Sequence, residues 1–219
     1  MSIIKNLHII IIIICLAPIN AYSKNKIILF GDSLMSGYRL EKKHHLSTLL
    51  EQDLNKIGYD YNVINASVAG DTSAGGLNRL KWTLLEDSID ILVLCLGAND
   101  MLRGIRTNET KNNLEQILKI TLNRNIKIIF AGMIAPDSYG SEYKNLFDGL
   151  YVTLSKNYDV NYIPFLLDGV ALMPEFNLDD GMHPNAKGVK IISKSILNEI
   201  KKINKNMKDI RWMIILILV

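Results

Sequence analysis

A serine that attacks a carbonyl carbon needs a turn that exposes it, a base that takes its proton, and donors that hold the oxyanion. Residue types for all three occur here in widely separated stretches. The β-prone run Ile27-Ile28-Leu29-Phe30 stops at Gly31-Asp32-Ser33. Such a run, ended by glycine and small polar residues, reads as a buried strand entering a tight turn that lifts Ser33 clear of the sheet. Most turns of this composition only bond their own backbone, so a nucleophile must be argued from its partners. His44 and His45 lie in the charged stretch Leu40-Glu41-Lys42-Lys43-His44-His45 and are expected to be a solvated surface pair. His183 sits in Asp179-Asp180-Gly181-Met182-His183-Pro184, after the last strand-like run, where a loop can swing back over the first turn. Asp180 precedes it by three residues, a spacing that aims a carboxylate at the imidazole Nδ1, and Asp179 is a competing orienter. Such a carboxylate fixes the tautomer and stabilises the imidazolium. For the oxyanion, the backbone N–H groups of Ser33 and Gly70 and the side-chain amide of Asn99 are the candidate donors.

These residues need a scaffold that gathers them. Five β-like runs recur, Lys26 to Phe30, Tyr61 to Asn65, Asp90 to Leu96, Lys127 to Met133 and Val160 to Phe165. Helical periodicity separates them over Leu46 to Ile57, Ala74 to Glu86, Thr110 to Asn123 (with Thr107 or Asn108 as caps) and Glu142 to Lys156, and follows them over Ala186 to Ile203. The alternation predicts an α/β fold, a three-layer α/β/α sandwich around a five-stranded, flavodoxin-like parallel sheet. Such a sheet places its ligand beyond the carboxyl ends of the strands, where strand order reverses. In the order 2-1-3-4-5 that point lies between the first and third strands. Gly31-Asp32-Ser33 ends the first and Gly97-Ala98-Asn99-Asp100 the third, so two polar, glycine-led turns converge there, with Gly70 in the loop after the second.

The 219 residues carry a formal charge of +3 and are 48% hydrophobic, which suits one domain with a full core and gives no basic concentration for nucleic acid. Residues 1–21 have the order of a secretory signal peptide, with Lys5, the apolar run Ile9 to Ala17 and a small residue at Ala21. Cleavage is expected after Ala21, giving a periplasmic or secreted protein. A retained anchor helix is the alternative, and lipoprotein processing at Cys15 is weaker because Ile14 precedes it. Without the leader only Cys95 remains, read as a buried small residue of the third strand. The expected organisation is a leader over 1–21, one domain over 22–204 and a tail over 205–219. The tail ends in Trp212-Met213-Ile214-Ile215-Leu216-Ile217-Leu218-Val219 behind Lys201, Lys202, Lys205 and Lys208. It is too short to span a bilayer and is a candidate for peripheral membrane contact.

Gly31-Asp32-Ser33-Leu34, Gly70, Gly97-Ala98-Asn99-Asp100 and Asp180-Gly181-Met182-His183-Pro184 together resemble the four sequence blocks of the SGNH, or GDSL, hydrolase superfamily, and the likeness spans roughly Lys26 to Ile200. The resemblance implies Ser33 as nucleophile, Asp180 and His183 completing a triad, and Gly70 and Asn99 in the oxyanion hole. It further implies esterase, thioesterase and lysophospholipase activities without a metal or cofactor. Ala98 stands where the family often has a second glycine. The expected partner is a small acyl ester or thioester, held by Met101, Leu102 and Ile134 in loops at the rim, and the protein is expected to be a monomer. The rivals are a carbohydrate deacetylase with the same triad and a non-catalytic binding module. A nucleotide binder lacks a phosphate cradle after the first strand, where Asp32 would repel the anion.

Overall fold

The computed structural model describes residues 25–218, with side chains described over residues 25–205. The leader read over 1–21 lies outside the described residues. Five parallel strands, β1 (Asn25–Gly31), β2 (Tyr61–Asn65), β3 (Ile89–Cys95), β4 (Lys127–Ala131) and β5 (Asn161–Ile163), form one sheet in the order β2-β1-β3-β4-β5. Ile27 through Phe30 and Ile91 through Leu94 are completely buried, because central strands covered on both faces have no polar side to present. Seven α-helices are described: α1 (Ser33–Ser36), α2 (Leu46–Lys56), α3 (Ser73–Thr83), α4 (Ala98–Leu102), α5 (Thr107–Leu122), α6 (Ser141–Asn157) and α7 (Ala186–Leu218). Helix α2 packs with α7, and α3 packs with α5, which packs with α6. These two groups are the outer layers of the sandwich, so the predicted architecture is the one observed.

The differences from the sequence reading have local causes. Strand β5 is three residues long because Pro164, which has no N–H to give a ladder, follows it. Strand β4 stops at Ala131, two residues before the expected Met133. Helix α5 begins at Thr107, and neither Thr107 nor Asn108 is its cap. Arg106 holds that place without a side-chain cap bond and donates through Nε to Glu109 Oε1 at 2.6 Å instead. Helix α7 does not end near Ile203 but continues to Leu218. Cys95 is buried with a free thiol whose pKa is pushed well above its ordinary value by burial.

Two contacts orient α7. Its start lies by the end of the β5 loop, where a side chain at Gly188 would meet Phe176, Val170 and Pro184. Just past its midpoint, the Asn204 side chain lies 3.0 Å from the hydroxyl of Tyr61, whose proton goes to Asp90 at 2.8 Å. Tyr61 opens β2 and Asp90 stands at the start of β3. The helix therefore runs antiparallel to the strands and leaves the domain at the edge opposite the strands' carboxyl ends.

Candidate active site

Strand β1 delivers Ser33 through a turn with no spare room. A side chain at Gly31 would collide with the Cys95 carbonyl and with Met35, so only glycine lets β1 lie beside β3 and then bend. Asp32 caps α1, its Oδ1 accepting from the Leu34 N–H at 3.0 Å. Ser33 is the first residue of that helix and faces the crevice between β1 and β3. The imidazole of His183 meets it from 150 residues away, with Nε2 and Ser33 Oγ 2.9 Å apart. On the other side of the ring, Nδ1 lies 2.9 Å from Asp180 Oδ2. An imidazole protonated on Nδ1 thus donates to Asp180 and accepts from the serine hydroxyl. Asp180, not Asp179, is the acid on the ring. Backbone N–H groups of His183 and Met182 also donate to Asp180. Those bonds, with that from the ring, pull its pKa down to about 2.

The loop that returns His183 is braced by asparagines. Asn177 donates to the carbonyls of Val170 and Met173, and Asn185 to those of Glu175 and Asn177. The Leu178 N–H donates to the His183 carbonyl at 2.8 Å. Tyr38 lies against the imidazole, tilted by 37° with ring centroids 4.4 Å apart. Residues 44 and 45 depart from the expected solvated pair: both are half-buried, and His45 Nε2 lies 3.0 Å from the Leu40 carbonyl beneath Gly37.

Ser33, Gly70 and Asn99 all line one cavity of about 400 Å³. Among the described residues neither the Ser33 nor the Gly70 backbone N–H is committed to a protein acceptor. The Asn99 amide nitrogen donates to Asp32 Oδ2 at 3.2 Å. Asp32 is 1% exposed. Burial pushes its carboxyl up to about 6, against the lowering effect of the Leu34 and Asn99 hydrogen bonds and the nearby His183. Three further side chains hold the Gly70 loop. Arg79 donates to Asp71, to the Ala66 carbonyl and to the Gly31 carbonyl, with its guanidinium 3.9 Å from the Phe30 ring centre. Asp100, fully buried, accepts from the Ser73 N–H, the Ser73 hydroxyl and the Thr110 hydroxyl. Arg103 donates to the Gly70 carbonyl at 2.7 Å.

Met101 and Leu102 lie in the cavity wall, together with Met133, Pro136, Leu167, Met182 and Tyr38. Ile134 does not: the residue is 41% exposed, while Met133 beside it is buried and lines the cavity. Because β4 ends at Ala131, alternation along an extended strand no longer predicts which loop residue faces the cavity. Tyr38, Leu167 and Met182 carry no sequence signal that would have singled them out. Among the described residues no group of three or more His, Cys, Asp and Glu side chains is placed to hold a metal ion.

The model of the GDSL-like lipase/acylhydrolase family matches residues 29–191. The chain is 31% identical over 192 residues to the arylesterase of Vibrio mimicus, covering 88% of this chain and 96% of that protein. It is 31% identical over 194 residues to thioesterase 1/protease 1/lysophospholipase L1 of Escherichia coli K12, covering 89% and 92%. A solved structure of TesA superposes with a TM-score of 0.77 at 31% identity, over 81% of this chain and 99% of that one. AlinE4, an SGNH-hydrolase family esterase, gives 0.70 at 39% identity over 82% and 96%. The family match begins inside β1 and ends inside α7, so every residue of the cavity wall falls within it, and the chain belongs to the GDSL-like lipase/acylhydrolase family of ester-cleaving hydrolases.

Proposed function

We propose that the protein is a periplasmic or secreted serine hydrolase that cleaves carboxylic esters and thioesters through an acyl-enzyme on Ser33. The observation that supports this is the unbroken line Ser33 Oγ, His183 Nε2, His183 Nδ1, Asp180 Oδ2, each hydrogen-bonded step 2.9 Å, opening on a mainly apolar cavity. His183 takes the Ser33 proton as Oγ attacks the carbonyl carbon. The oxyanion is held by the N–H groups of Ser33 and Gly70 and by the Asn99 amide. The tetrahedral species collapses as His183 returns the proton to the leaving alkoxide or thiolate. Water then attacks the acyl-Ser33, giving its proton to His183, and collapse releases the carboxylic acid with Ser33 reprotonated. Asp180 remains ionised throughout, since its neighbours hold its pKa near 2, and keeps the ring in the tautomer that accepts at Nε2. Met101, Leu102, Met133, Leu167 and Met182 give the acyl group an apolar wall, and methionines adapt to chains of different shape.

The test is hydrolysis of p-nitrophenyl esters and acyl-CoAs of graded chain length by wild type and Ser33→Ala, with a fluorophosphonate probe. Wild type should turn over and be labelled at Ser33, and the variant should do neither. Turnover without labelling at Ser33 would refute the nucleophile. Preference for acetylated sugars over acyl chains would move the substrate to the deacetylase class. Mass spectrometry of the N-terminus after export tests the leader, with cleavage after Ala21 expected.

A further inference from the structure

The geometry points to Asp32 as the positioning residue of the oxyanion site: its two carboxylate oxygens divide between the nucleophile's helix and the Asn99 amide and so set the distance between them. The inference rests on the triad proposed above and extends it to a residue outside the triad. Oδ1 accepts the Leu34 N–H and anchors α1, which begins with Ser33. Oδ2 accepts from Asn99 Nδ2 across a separation of 67 residues. An ionised carboxylate only accepts hydrogen bonds, so it forces the nitrogen of the Asn99 amide, not its oxygen, to face it. One N–H of that amide is thereby engaged and the second remains for the substrate. With its orientation reversed, Asn99 would present an acceptor to a developing negative charge. Both oxygens of Asp32 are committed and the residue is buried.

The groups that face Asp32 are few. His183 stands on the loop before α7 and favours its charge, Asp71 on the loop after β2 opposes it, and Cys95 on β3 is close enough to feel it. Arg79, paired with Asp71, also touches the Gly31 carbonyl next to Asp32. Burial pushes the Asp32 carboxyl up to about 6, so this anchor is a costly one to keep charged in the folded protein, and a residue needed only to cap α1 would not have to be a carboxylate.

The test is a double-mutant cycle on the full chain, with Asp32→Asn, Asp32→Ser, Asn99→Ala and each combination, measured on one p-nitrophenyl ester after titrating active sites with the fluorophosphonate. Asn and Ser both keep a side-chain oxygen to cap α1, but Ser cannot reach Asn99 and Asn offers the wrong orientation. Each single variant is expected to lose on the order of 100-fold in kcat with KM within about threefold, the scale of one lost oxyanion donor. In the combined variants the losses should not multiply, because Asp32 acts through Asn99. Losses that multiply would mean that Asp32 serves His183 directly, and would overturn the inference. So would a Ser variant, or an Asn99→Ala variant, within threefold of wild type in kcat. If Asp32→Asn does not fold, the serine variant alone decides. Wild type labelled at Ser33 together with an active Ser variant would overturn this inference and leave the proposed function standing, whereas a wild type that is not labelled would overturn both.

Discussion

Asp32 and Asp180 are carboxylates bonded to Asn99 and to His183 at the cavity, and their environments drive them in opposite directions. Asp180 sits partly in solvent with two backbone N–H groups and the imidazole on it, and its pKa falls to about 2. The contribution of Asp180 to stability is therefore complete above the ordinary carboxylate range and is lost as pH falls toward 2. Asp180→Asn should keep the ring in place but favour the wrong tautomer, lowering kcat on the order of 10³- to 10⁴-fold with Ser33 still present, as steady-state kinetics would show. For Asp32 the sign reverses. Between about pH 4 and 6 the folded protein keeps a proton that the unfolded chain releases, so Asp32 withdraws stability as pH rises through that window, by about 3 kcal/mol in full. Urea unfolding at pH 4.5 and 7.5 should find that Asp32→Asn loses less stability than wild type over the interval. Equal losses would show that the carboxyl titrates at its ordinary value.

Between the strands and the reacting atoms stand the loops, and buried polar side chains hold them. Arg79 joins the end of β1 to the loop after β2, and Asp71 beside it is nearly buried. Arg79→Met should leave that carboxylate unpaired and cost about 3 to 5 kcal/mol in urea unfolding. Arg79→Lys should recover part of this, since a lysine keeps the charge but not the planar fork. Tyr151 does a similar service on the neighbouring strand. Its hydroxyl donates to the Leu96 carbonyl and fills the space beside Gly97, whose φ of +117° starts the turn into α4. Tyr151→Phe should cost about 1 to 3 kcal/mol through the stranded carbonyl and lower kcat through Asn99, both measurable on one sample. None of these braces was legible in the sequence. The meeting of Ser33, Asp180 and His183 was, because a strand-ending turn and a three-residue spacing are local patterns. Arg79, Asp100 and Tyr151 each reach at least one partner 27 to 55 residues away, at Asp100 to Ser73, Arg79 to Gly31 and Tyr151 to Leu96. Their types alone, an arginine and a tyrosine in helices and an aspartate after an asparagine, say nothing of what they will meet. Ile134 lies outside the cavity wall for a related reason, since the face of a loop residue depends on where its strand stops.

The parallel alternation of strand and helix made the whole architecture readable, and with it the edge at which a cavity must form. What composition did not reveal is how far the last helix runs. Among the described residues no helix is long and apolar enough to cross a membrane. Yet α7 carries on for 14 residues past Asn204, about 20 Å at the rise of an α-helix. A chain ended after Lys205 keeps every residue of the cavity wall, and its kcat/KM on a water-soluble ester should stay within about twofold of the full chain, in keeping with the small effect of changes remote from a site. Asn204 is tied to Tyr61, itself bonded to Asp90, at the strands' amino ends, while Ser33 lies at their carboxyl ends. A lipid layer or a companion protein that gripped the final residues would hold the enzyme by its far pole, like a lamp on a stalk, with the catalytic mouth turned outward to whatever ester drifts past.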